Sequence, residues 1–385
     1  MSMVDQRIAV VRLDSLGDHV LGSGLLTALR TCHPDARITL VIPEGLADLY
    51  SRCRSVDDLR PITYWGHDLR DRERLDQAVR DLGSLGPFDL VINPRFAEDY
   101  YRAGILCRAM AGANTRSVAF RQSHSPYPDY NPNSFYSELV DAAPSHHVSR
   151  YGAIMASHLG APDSAEPAVW YSDDDLTAMR QRYGLGAEPY VVVGLGASEP
   201  YKVPAISTYV HLLDRLTDAW GRRILLVGLT TDHPMQAAVL AAVRRRERIA
   251  SSLGELQLFE LAALLSAAEL YVGPDAGPMH MAAAAGTRVI ELGWVPADYP
   301  QTSRGAKTAG RCWSPWTSRG ITLHPPGALF AERIQRREHV QGIAPADVDA
   351  ALTAMLGPPH RETGPGRHSG RGRLLLSLAR LFKRA

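Results

Sequence analysis

The stretch Leu270 to Trp294, LYVGPDAGPMHMAAAAGTRVIELGW, decides the architecture. Leu270 to Gly273 predicts a short buried strand, Pro278 to Ala285 a helix opening on a proline, and Thr287 to Leu292 the next strand. The turn between them, Pro274-Asp275-Ala276-Gly277, brings backbone N–H groups and one carboxylate to a common point. A helix start of this kind attracts anions, through unpaired amides and the helix dipole. Gly277 lets a ligand approach the backbone closely, Asp275 can accept bonds from hydroxyl groups, and His280 falls one turn into the helix on a side able to face a ligand. Phosphate beside hydroxyls suggests a sugar nucleotide.

Around that stretch, 385 residues with 45% hydrophobic content are enough for two domains, each with its own core. The formal charge of +1 provides no global field for nucleic acid, and no zinc-finger or ribonucleoprotein spacing is present, so nucleic acid is not an expected partner. Cys32, Cys53, Cys107 and Cys312 form no C-x-x-C pair and read as reduced thiols of a cytoplasmic protein. Met1 leads to the strand Ile8 to Val11 without a basic segment and long apolar run, so neither export nor a membrane span is expected. Lys202, Lys307 and Lys383 are the only lysines in an arginine-rich chain, which singles out Lys202, on a loop after a strand, as a candidate phosphate contact.

Working toward the N-terminus, strands at Ile8 to Val11, Ile38 to Ile42, Asp89 to Asn93 and Arg116 to Phe120 alternate with helical patterns, the first running from Asp18 to about Leu29. The turn Asp14-Ser15-Leu16-Gly17-Asp18 lacks G-x-G-x-x-G, which disfavours a dinucleotide and with it a dehydrogenase. Asp18 stands at the mouth of a crevice near a helix start, where it is either a cap or a functional acid. A helix is expected over Leu46 to Cys53, and a charged, solvated one over Asp68 to Leu82. Gln122 to His147 is a Pro, Ser, Tyr and His loop, with His124, His146 and His147 more suited to solvent or an acceptor than to a metal. Gly160 to Asp175 reads as a linker. Strands at Tyr190 to Gly194 and Arg223 to Val227 begin a second α/β unit that ends in the opening stretch. Expected boundaries are 1–165, 185–355 and a tail, 361–385. The tail's seven cations against Glu362 and its short amphipathic run allow peripheral contact with an anionic membrane surface, such as the inner face of the plasma membrane.

Taken together, the chain resembles glycosyltransferase family 9, the heptosyltransferases. Val11-Arg12-Leu13-Asp14-Ser15-Leu16-Gly17-Asp18, Phe88 to Ile92, His147 to Tyr151, Gly196-Ala197-Ser198 with Lys202, and Gly273 to Ala284 are similar to that family's motifs, in order. The resemblance implies an α/β GT-B fold, two facing Rossmann-like domains with the donor held mainly by the second, and an inverting transfer of heptose from ADP-heptose that needs no metal or cofactor. It implies Asp18 as general base, Lys202 on the donor phosphates, Asp275 on sugar hydroxyls, and Ala276, Gly277, Pro278, Met279 and His280 as the helix start around the diphosphate, with Ser198 nearby. Ala276 stands where a hydroxyl residue is usual, Asp14 replaces a small hydroxyl residue, and Asn93-Pro94-Arg95-Phe96 departs from the family pattern. Asp14, Arg95 and His124 are therefore the candidate acceptor contacts. The acceptor is a lipopolysaccharide-core-like sugar or a soluble natural-product intermediate. Another nucleotide sugar on the same fold, or a non-catalytic nucleotide-sugar-binding subunit, are the competing readings.

Overall fold

A computed structural model describes residues 6–64, 72–96, 98–125, 127–143, 147–161, 166–296, 312–326, 334–336, 338 and 342–359. The tail 361–385, His146 and the start of the charged segment at Asp68 lie outside them. Two six-stranded parallel sheets carry the chain. The first has the order β3-β2-β1-β4-β5-β6, with β1 Arg7–Val11, β2 Arg37–Pro43, β3 Asp58–Ile62, β4 Phe88–Asn93, β5 Ala111–Phe120 and β6 Glu138–Val140. The second has the order β12-β11-β10-β7-β8-β9, with β7 Tyr190–Gly194, β8 Arg223–Val227, β9 Ile249–Ser251, β10 Leu270–Pro274, β11 Val289–Leu292 and β12 Gly320–Leu323. Counted from each sheet's own first strand, the two orders are the same, and both reverse direction once: at β1/β4 and at β7/β10. Ligands of such sheets bind outside the strands' carboxyl ends at that reversal. These are the two Rossmann-like halves expected of a GT-B fold.

The first turn departs from the expected single helix. It splits into α1 (Leu16–Leu21) and α2 (Gly24–Cys32). The break lies at Gly22, where any Cβ would overlap the Arg12 guanidinium, and Arg12 Nη2 donates to the Asp18 carbonyl at 2.6 Å. The segment expected as a helix from Leu46 is a 3-10 run, Glu44–Tyr50, and the charged helix, α3, is described over Arg72–Gly83. Helix α4 covers Ala103–Met110 and α5 Val148–His158. The expected linker ends in α6 (Asp173–Arg182), which Ser172 and Asp175 start with a reciprocal capping box.

In the second half the helices are α7 (Ile206–Asp218), α8 (His233–Ala242), α9 (Leu258–Ser266) and α10 (Gly277–Ala284), followed by Pro345–Leu356. One cluster of buried side chains runs from Ile8, Val10 and Ile38 of the first sheet to Val192, Tyr271 and Met279 of the second, so the halves share apolar contact. The junction is reinforced by the Leu258 amide donating to Asp48 Oδ2 at 2.6 Å and by the Arg52 guanidinium 4.2 Å over the Phe259 ring. Among the described residues no helix is long and apolar enough to cross a membrane.

Candidate functional site

All the charged groups singled out by motif, His124 apart, sit on the four connections that follow the strands flanking the two reversals, Asp18 in the first turn of α1. Asp14 and Asp18 follow β1, Arg95 follows β4, Lys202 follows β7, and Asp275 follows β10. Helices α1 and α10 pack start to start, bringing these loops face to face. A Cβ on Gly17 would lie 2.7 Å from His280 Cδ2, and one on Gly277 would overlap the Leu16 side chain. The missing side chain of Gly277 thus makes room for Leu16 of the opposite half.

On the second half, Lys202 Nζ donates to Asp275 Oδ2 at 2.8 Å, and the Trp294 indole Nε1–H donates to the same oxygen at 3.0 Å. His280 Nε2 lies 3.6 Å from the other oxygen. Burial alone would raise the Asp275 carboxyl, but the Lys202 charge and the imidazole outweigh it and hold the group well below the ordinary carboxylate range. Burial likewise works against the charge on Lys202, and Asp275 more than offsets it. Ala276 occupies the N-cap position of α10 and offers no side-chain acceptor. Pro278 has no N–H, the Met279 amide donates to the Ala276 carbonyl, and the Met279 side chain is buried in the core. The expectation of Met279 as a donor contact is corrected accordingly, since its side chain is in the core and its amide is bonded within the turn. Ser198 is exposed on the loop after β7.

The sequence reading missed Glu291. It lies in β11 in register with Gly273, is 3% exposed, and accepts a hydrogen bond from Thr322 Oγ1 at 2.6 Å. Burial, and then repulsion from Asp275, push its carboxyl up to about 8. A glutamate inside an otherwise apolar four-residue strand, VIEL, was the available signal.

On the first half, Asp14 is 2% exposed and lies between two arginines, with Arg12 Nε at 3.1 Å from one oxygen and Arg95 Nη1 hydrogen-bonded to the other. Burial would raise its carboxyl, and the two cations bring it below its usual value. Asp14 is thereby corrected from a candidate acceptor contact to an internal counter-ion. Arg95 also donates through Nε to the Glu98 carbonyl at 2.8 Å and lies over the Tyr101 ring. His124 is exposed on its loop, and among the described residues no hydrogen bond or ion pair joins it to Asp14, Asp18 or Arg95. Asp18 is half-buried. Its Oδ2 accepts from Ser15 Oγ at 2.8 Å and its Oδ1 from the Trp313 indole at 2.9 Å, and its charge is felt by Arg95 and by Lys202 across the cleft.

A carboxylate on one wall opposite an ammonium, a helix start and a hydroxyl-accepting carboxylate on the other can take a proton on one side and bear a departing anion on the other. Among the described residues no group of three or more His, Cys, Asp or Glu is placed to hold a metal ion.

The chain is 24% identical over 347 residues to lipopolysaccharide heptosyltransferase 3 of Escherichia coli (strain K12), covering 88% of this chain and 95% of that protein. It is 24% identical over 306 residues to lipopolysaccharide heptosyltransferase 2 of Salmonella typhimurium, covering 74% and 82%. The solved structure of the glycosyl transferase family 9 from Veillonella parvula superposes with a TM-score of 0.70 at 20% identity, covering 92% of this chain and 98% of that one. An E. coli heptosyltransferase with ADP gives 0.66 at 18%, covering 91% and 99%. The profile described as glycosyltransferase family 9 (heptosyltransferase) matches residues 84–306, more than half of the chain. The protein belongs to glycosyltransferase family 9 and is a heptosyltransferase-like glycosyltransferase of GT-B fold.

Proposed function

We propose that this enzyme moves a heptose from ADP-heptose to an acceptor hydroxyl, with inversion at the anomeric carbon and without a metal ion. The acceptor is a sugar like those of the lipopolysaccharide core or a soluble natural-product intermediate. The observation that carries the reading is the placement of Asp18 on one wall of the cleft with Lys202 and Asp275 on the other, close enough for Asp18 to act on the Lys202 charge. ADP-heptose is favoured as donor because the relatives are heptosyltransferases and a solved E. coli neighbour is described as an ADP-heptose heptosyltransferase.

In this reaction the acceptor oxygen bonds to the anomeric carbon while the bond from that carbon to the diphosphate breaks. The acceptor proton passes to the Asp18 carboxylate, and the electron pair leaves with ADP. Lys202 exchanges its bond to Asp275 for one to the diphosphate, which frees an Asp275 oxygen for heptose hydroxyls. The amides at the start of α10 add positive potential under the leaving group.

The test is a panel of nucleotide sugars and acceptors with product mass as readout. ADP-heptose is expected to be consumed, and Asp18→Asn to lower turnover by two or more orders of magnitude, with donor affinity held within about threefold, because the base acts in the transition state. Turnover with a different nucleotide sugar and none with ADP-heptose would overturn the donor assignment. Parental rates from Asp18→Ala would remove Asp18 as base.

A further inference from the structure

Trp313 belongs, by chain order, to the second half: it lies between β11 and β12. Yet its segment is seated on the first half. The Cys312 carbonyl accepts from the Val148 amide at 2.9 Å, at the start of α5, and the Ser314 carbonyl accepts from His147 Nε2 at 2.9 Å. Because His147 Nδ1 accepts from the Ser149 amide, the ring proton is on Nε2 and points at Ser314. Two residues on, the Trp316 indole donates to Glu166 Oε2 at 2.5 Å, and its ring lies 4.8 Å from that of His147. Residues 312–316 therefore form a strap from one half fastened to the other, and from the middle of the strap the Trp313 indole N–H reaches Asp18 Oδ1 at 2.9 Å.

This last bond differs from the other restraints on Asp18. The Ser15 hydroxyl and the Arg12 guanidinium hold Asp18 from within its own loop and stay with it whatever the second half does. The Trp313 indole does so only while the strap is seated. An aspartate side chain has two rotatable bonds, and one donor on each carboxylate oxygen fixes both.

We propose that Trp313 is a positioning residue: its indole N–H orients the Asp18 carboxylate toward the acceptor, and the strap makes that orientation conditional on the two halves being together. The proposal rests on the reading of Asp18 as the base. A fixed carboxylate direction matters because a misplacement of about 1 Å between reacting groups costs up to ~100-fold in rate.

The test uses the full-length enzyme, ADP-heptose as donor and the sugar acceptor of the panel that gives most product, with ADP release as readout. Trp313→Phe keeps an aromatic ring and removes the N–H. It is expected to lower kcat about 10- to 100-fold with the KM for ADP-heptose within about twofold. In an Asp18→Asn background the same change is expected to cost less than about twofold, which a merely structural role would not produce. In a second arm, the indole N–H resonances of 15N-tryptophan-labelled protein are recorded, with the Trp313 peak identified by its loss in Trp313→Phe. Asp18→Asn is expected to shift that peak. Full kcat in Trp313→Phe, an equal loss in both backgrounds, or an unmoved Trp313 peak overturns the proposal while leaving the base assignment in place. A shifted peak with no ADP release by the parent enzyme from any member of a panel of nucleotide sugars and acceptors instead removes the proposed function, and the catalytic role of Trp313 with it.

Discussion

Glu291 offers a test of the donor wall that needs no substrate. It is a buried carboxyl with one hydrogen-bond donor, Thr322, and a second, ionised carboxylate at Asp275 close enough to repel it. Burial and that repulsion move it from an ordinary value of 4.5 to about 8, so at neutral pH it is held mainly as the uncharged acid. A group whose affinity for a proton is higher folded than unfolded contributes stability that is fully present below the unfolded value. That stability is lost as the pH rises through the folded value. The window therefore runs from 4.5 to about 8. At about 1.4 kcal/mol per pH unit, the ceiling on the loss is ~5 kcal/mol. Relaxation around Asp275 and Lys202 reduces this, and about 2–4 kcal/mol is expected. Glu291→Gln keeps the shape and has no proton to lose. Urea unfolding followed by circular dichroism at pH 5, 7 and 9 should find variant and parent within about 1 kcal/mol at pH 5 and the variant more stable by about 2–4 kcal/mol at pH 9. The same ionisation would place a second negative charge beside the pocket for the leaving diphosphate, so the parent's turnover should fall above pH 8 and that of Glu291→Gln should not. Parallel pH profiles of stability for the two proteins would refute the account of Glu291 as a neutral acid.

Three further perturbations probe other parts of the cleft. Lys202→Ala removes the cation from Asp275 and leaves a buried carboxylate unpaired, so ADP affinity by calorimetry should drop at least about tenfold and stability by ~3 kcal/mol. Unchanged ADP affinity would dismiss Lys202 as a phosphate contact. Gly17→Ala drives a methyl to within 2.7 Å of His280 Cδ2, which should cost about 1–3 kcal/mol or separate the halves, read as a lower melting temperature or a larger radius of gyration in small-angle scattering; neither change would show the α1 to α10 contact to be loose. Arg95→Met strips one of two cations from buried Asp14 and should destabilise by ~2–4 kcal/mol while sparing ADP binding, because Arg95 lies on the opposite wall from Lys202. Loss of ADP affinity would contradict that division of labour.

The strands that could be read from the sequence and those that could not divide along one physical line. Every interior strand, β1, β2, β4 and β5 in the first sheet and β7, β8, β10 and β11 in the second, appeared as an apolar run. Each edge strand, β3, β6, β9 and β12, was missed. An interior parallel strand is covered on both faces where it is buried and is mainly apolar there, as Val191, Val192 and Val193 are, with Glu291 the exception. An edge strand is under no such demand: Asp58–Ile62 carries a proline, and Gly320–Leu323 is only half-buried throughout. The same logic separates the site residues. Asp18 and Asp275 stood out as polar residues on the turns after apolar runs, where the parallel-sheet rule expects a ligand, and Lys202 as one of three lysines in an arginine-rich chain. Trp313 and Trp294 did not, because a tryptophan in a loop carries no period or spacing that names its partner. The bond from Trp313 to Asp18 spans 295 residues and exists only once both halves have folded and met. Sequence motifs thus locate Asp18, Lys202 and Asp275, while one donor to Asp18, the Trp313 indole, comes from the other half. Asp18 can therefore be read from the eight residues Val11 to Asp18, whereas its bond to Trp313 can be seen only with both halves in place.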